Sequence, residues 1–137
     1  MKNITTNKTI DNKNIVENKI SLSLREFSKK RILFRLVNTK RNNTKSFSIY
    51  EKAKNSTTIK EAFNLDYRKI DIEYDTTKNN RFKKVNLLLD INAYLDKSKK
   101  SLYLDLLNSN DNFIKNNKVS NEIIENNKYF KNLVNSL

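Results

Sequence analysis

From Lys19 onward the apolar positions recur first at a spacing of two and later at three and four. Ile20, Leu22 and Leu24 alternate with Ser21, Ser23 and Arg25, the period of a strand with one buried face. In RILFRLV, Ile32, Phe34 and Leu36 face one way and Leu33, Arg35 and Val37 the other; in SFSIY, Phe47 and Ile49 alternate with Ser46, Ser48 and Tyr50. The short links FSKK and NTKRNNTK predict antiparallel neighbours, a meander of these runs. KIDIEYD repeats the alternation, with Ile70, Ile72 and Tyr74 opposed to Asp71, Glu73 and Asp75. TTKNNR then turns the chain, and Val85, Leu87, Leu89 and Ile91 bring it back as a second hairpin, bulged at Lys83 and Lys84.

Helical spacing predicts three further elements. Thr58 and Glu61 form a capping box before Ile59, Ala62 and Phe63, so a short helix spans residues 57–64. Leu102 with Leu106, and Tyr103 with Leu107, follow Ser98 or Ser101 as a cap, and NSNDN ends that segment. Val119, Ile123, Phe130, Val134 and Leu137 make one stripe behind Ser120 as N-cap, with Glu122 in the first turn. Residues 1–18 are polar and Asn-rich without a period, which predicts a flexible, disordered or extended arm. The expected fold class is α+β, with residues 19–137 as one domain. It is an antiparallel sheet of about five strands in two hairpin or meander units, with a short middle helix and two C-terminal helices.

Composition changes this picture in two ways. The chain has no glycine, so positive-φ positions fall to other residues, and Asn42 and Asn43 are the natural ones in NTKRNNTKS. It also has no cysteine and no histidine, which excludes disulfides, thiolate metal sites, cysteine nucleophiles and imidazole acid–base chemistry. Asp71, Glu73, Asp75 and Asp90, with Lys83 or Lys84 beside them, have the residue types of a magnesium-dependent nuclease. The same spacing is that of any solvent-facing strand, and the expectation is a non-enzymatic protein with no cofactor, no metal and no small-molecule substrate.

No apolar run approaches the roughly 20 residues that span a bilayer, and MKNITTNKTIDNKN lacks the apolar centre of a secretory signal. The expectation is a soluble intracellular protein of the cytoplasm, an organelle matrix or a virion interior, neither secreted nor membrane-bound.

Charge carries the functional argument. Lys plus Arg total 28 against 15 Asp plus Glu, a net +13 over 137 residues. Part of this is the lysine and asparagine bias of an AT-rich gene, so only the placement of charge is informative. Residues 25–54 hold ten basic and two acidic side chains and residues 78–101 seven and two, whereas residues 55–77 and 102–137 hold no basic excess. Clustering of this kind predicts a binding face for a polyanion. The first group is Lys29, Lys30, Arg31, Arg35, Lys40, Arg41 and Lys45. The second is Arg81 in the later hairpin and Lys97, Lys99 and Lys100 at a helix start, where the dipole disfavours cations and a phosphate would favour them. Phe34, Phe47, Tyr74 and Phe82 lie on apolar strand faces and are expected in the core; Tyr50 and Tyr67 are the candidate base contacts.

The functional expectation is a strongly basic, nucleic-acid-binding protein that contacts the phosphate backbone, RNA in preference to DNA. A ribonucleoprotein or ribosome-like component or a DNA-packaging accessory would behave this way. The alternative is a structural or adaptor subunit of a protein assembly, such as a phage virion or organelle complex, docking through the amphipathic helix of residues 119–137.

Overall fold

The structure is a computed structural model and describes residues 24–76 and 84–137. At its centre β1 (Ile32–Phe34) pairs antiparallel with β2 (Leu87–Leu89), in the register Ile32 to Leu89, Leu33 to Leu88 and Phe34 to Leu87. All six side chains are buried, because the two-residue period sends them to opposite faces and both faces are covered. Ile32, Phe34, Leu87 and Leu89 pack with Tyr50, Ile59 and Ile72, whereas Leu33 and Leu88 pack with Tyr103, Leu106 and Phe130. The first layer is built from α1 (Leu24–Ser28), α2 (Lys45–Ala53), α3 (Ile59–Asn64) and α4 (Lys69–Thr76). The second is the antiparallel pair α5 (Lys100–Asn116) and α6 (Asn121–Asn135), reached from β2 through 3-10 turns at Asn92–Tyr94 and Lys97–Lys99.

A two-stranded ribbon inside a protein must satisfy its outer backbone groups. Here helix side chains do it: Asn126 Nδ2 donates to the Ile32 carbonyl at 2.8 Å, and Asn110 Nδ2 donates to that of Phe34 at 3.0 Å. Asn110 Oδ1 also accepts from Leu36 N–H at 2.8 Å. The Ile32 N–H is taken by the Thr57 carbonyl at 3.1 Å.

The five-stranded sheet is overturned: the described residues contain six α-helices and one two-stranded sheet. SFSIY lies in α2, because the Thr44 hydroxyl accepts from Phe47 N–H at 3.1 Å and starts a helix that buries Tyr50 and Ala53, three residues apart. KIDIEYD lies in α4, which buries Ile72, Asp75 and Thr76 and leaves Ile70 and Tyr74 exposed. Leu24 and Arg25, read as the end of a strand, begin α1. The remainder of that expected strand, the arm of residues 1–18, Arg81, Phe82 and Lys83 all lie outside the described residues.

The helical expectations fare better. Thr58 and Glu61 do form the capping box of α3, and Ser120 caps α6 with Glu122 in its first turn. NSNDN does not end α5, because Asn110 within it is anchored to β1 and the helix continues to Asn116. Neither Ser98 nor Ser101 caps α5; Asp96 caps the 3-10 turn ahead of it by accepting from Ser98 N–H at 3.0 Å. The apolar stripe of α6 turns inward, with Ile123, Phe130 and Val134 buried.

Candidate functional site

The segment NTKRNNTKS is a folded loop held by local bonds and by two long-range ones, from the Thr39 hydroxyl to Asn86 Oδ1 at 3.1 Å and from Lys40 Nζ to Asp75. Asn38 Oδ1 accepts from Lys40 N–H at 3.0 Å, while its Nδ2 donates to the Phe47 carbonyl at 3.0 Å. Asn42 and Asn43 make the turn, and Asn43 takes the positive φ, 64°, that glycine would otherwise supply. Thr44 donates to the Arg41 carbonyl at 2.6 Å while it caps α2. The loop therefore presents Lys40 and Arg41 immediately before the helix that carries Lys45.

These side chains line an open cleft of about 1170 Å³ between α2 and α4. Lys45, Ile49 and Lys52 form the α2 wall, at spacings of four and three that put them on one helical face. Asp71, Tyr74 and Asp75 form the α4 wall, and Phe63, Asp66, Tyr67 and Arg68 close the end near α3.

Charge inside the cleft is unevenly compensated. Asp75 is 1 % exposed; its carboxylate accepts from Lys40 Nζ at 2.5 Å and from the Tyr67 hydroxyl. Burial, and then the Asp75 charge, push the Tyr67 phenol far above its ordinary pKa, so Tyr67 remains a donor. Arg68 grips both Asp71 oxygens at 3.1 Å. Burial raises the Asp71 carboxyl, but the hydrogen bonds from Arg68 outweigh it and hold the group below its usual range. Among the described residues, Arg41, Lys45 and Lys52 have no carboxylate within ion-pair distance. The α2 wall is thus a source of unneutralised positive charge, and the opposite wall consists largely of closed ion pairs.

The other predicted residues lie elsewhere. Lys29 and Lys30 are exposed just after α1, and Arg31 lays its guanidinium 4.3 Å from the centroid of the Tyr129 ring. Arg35 is inside the protein, 3 % exposed, donating to the Val85 carbonyl at 3.0 Å and to Asp105 at 2.9 Å. No phosphate reaches it there. Lys97, Lys99 and Lys100 do stand at the start of α5, where Lys100 Nζ lies 3.5 Å from the Asn135 carbonyl at the end of α6.

Phe34 is in the core as expected, but the tyrosine assignments reverse. Tyr50 and Tyr67 are buried, the Tyr50 hydroxyl donating to the Arg35 carbonyl at 2.5 Å, so neither meets a base. Tyr74, read as core, is 39 % exposed and lines the cleft. Lys52, Arg68 and Tyr74 escaped the sequence reading. The signal for Lys52 was its seven-residue spacing from Lys45, visible once Thr44 is taken as a helix cap. Among the described residues no group of three acidic side chains is placed to hold a metal ion, and no helix is long and apolar enough to cross a membrane. Compared with known proteins, the chain matches no family model, no curated protein and no solved structure.

Proposed function

We propose that this is a non-enzymatic, intracellular nucleic-acid-binding protein that holds the phosphate backbone, RNA in preference to DNA, on the α2 wall of the cleft. The observation that carries the reading is the grouping of Arg41, Lys45 and Lys52 on one side of a concave surface, without carboxylate partners among the described residues. Cations left uncompensated in a protein of net +13 repel one another, and a polyanion relieves that repulsion while releasing its own counterions. The adaptor reading has less support, because the stripe of α6 that would dock a partner is occupied by the protein's own core.

The test is fluorescence anisotropy against labelled RNA over a range of salt concentrations, for the native protein and the Arg41→Ala, Lys45→Ala, Lys52→Ala triple variant. Binding should weaken steeply with salt, and the slope of log K against log salt should fall by about 2 in the variant, since each lost phosphate contact removes about 0.7 for a single strand. No RNA affinity, or an unchanged slope, overturns the proposal.

A further inference from the structure

Resting on that reading, we infer that the cleft accommodates an unpaired nucleotide, so that the ligand is single-stranded RNA with a base drawn in against Tyr74. Three features lead there.

The first is shape. A duplex offers its phosphates on the outside of a rod and keeps its bases stacked and paired, so a surface that tracks it needs no deep concavity. The cleft is open and, at about 1170 Å³, somewhat larger than the roughly 300–1,000 Å³ of a pocket for a small organic ligand, which leaves room for a nucleotide. Only an unpaired nucleotide can put its base into such a space.

The second is an exposed ring that packing does not explain. Of the six tyrosines, only Tyr74 is exposed. It lies in the α4 wall of a cleft that half-buried Ile49 and Phe63 also line, and Lys40 Nζ, 5.4 Å from its centroid, steadies the ring while bound to Asp75. An accessible aromatic ring across a cleft from cations that have no carboxylate partner among the described residues is the combination that single strands use, stacking a base while the backbone follows the charge.

The third is polarity across the cleft. Arg41, Lys45 and Lys52, which have no carboxylate partner among the described residues, are on the α2 side and the loop before it, whereas Asp71 and Asp75, closed in ion pairs with Arg68 and Lys40, are on the opposite side. A phosphate is drawn to the former, while the latter, already neutralised, offer it no competing attraction. That orients the nucleotide with its phosphate at Arg41, Lys45 and Lys52 and its base toward Tyr74.

The experiment uses the full chain and three labelled probes of equal length, single-stranded RNA, the same strand made abasic and duplex RNA, with the single-stranded RNA also titrated into Tyr74→Ala and Tyr74→Phe. The intact strand should bind about tenfold more tightly than the abasic strand, and Tyr74→Ala should lose about that factor without changing the salt slope. Tyr74→Phe, which keeps the ring, should bind as the native protein does. Intact, abasic and duplex probes bound equally, with Tyr74→Ala unchanged, overturn the inference while leaving the phosphate reading standing if the triple variant still loses its slope. Failure of the native protein to bind any probe overturns both. The abasic comparison needs no variant, so it decides the matter even if Tyr74→Ala does not fold.

Discussion

Lys40 and Lys45 are neighbours in one basic loop and read alike in the sequence, yet they do different work. Lys40 is half-buried and neutralises a carboxylate that is almost wholly inside the protein, and Lys45 is exposed with no such partner. Removing one member of a buried pair leaves the other charge without compensation, so Lys40→Met should destabilise the protein by about 3 kcal/mol. Adding Asp75→Asn should restore part of that, because the stranded charge is gone while an acceptor for Tyr67 remains. Lys45→Ala should change stability by less than about 0.5 kcal/mol but weaken RNA binding. Urea unfolding and RNA titration on the same preparations separate the two roles; equal stability losses at Lys40 and Lys45 would remove the distinction.

At the level of elements, the helices that were legible carried their own start signals. Thr58 with Glu61 and Ser120 with Glu122 announce α3 and α6, and the caps are where expected. What misled was alternation in short segments. Over seven residues such as KIDIEYD, a period of two and a period of 3.6 share several positions, and without glycine or proline nothing marks which is meant. Tertiary packing settled it by burying Ile72, Asp75 and Thr76 together. Arg35 misled for a related reason: alternation assigns one face of a strand to solvent, but the ribbon is covered on both faces. Lys40, Arg41 and Lys45, in the loop and at the start of α2, were therefore readable, whereas Lys52 and Tyr74 on the helical faces and Arg68 just ahead of α4 were not.

The same absence of flanking strands gives Asn110 its importance. It is wholly buried and serves both the Leu36 N–H and the Phe34 carbonyl. Asn110→Leu keeps the number and branching of the side-chain heavy atoms but strands two backbone groups, which should cost about 3 kcal/mol. Native-state hydrogen exchange should show the Leu36 amide losing protection first. A variant as stable as the native protein would mean that water replaces the side chain there.

Across the whole molecule, the layer on the cleft side of the ribbon is held by tyrosines that cannot ionise in place. Burial, followed by nearby carboxylates, pushes the Tyr50 and Tyr67 phenols well above the ordinary value of 10.0, and burial with Glu73 pushes Tyr94 up to about 12. The folded state therefore holds these protons more tightly than the unfolded chain. The stability this contributes is complete below pH 10 and is lost progressively above it, through about 12 for Tyr94 and further for Tyr50 and Tyr67, because only the unfolded tyrosines ionise freely there. Alkali should therefore unfold the protein cooperatively rather than titrate it residue by residue. Tyrosinate absorbance from the buried rings should rise together with the loss of helical circular dichroism. If that absorbance rises fully while the helical signal is intact, the rings are open to solvent, and the packing of the ribbon against α2, α3 and α4 is looser than described.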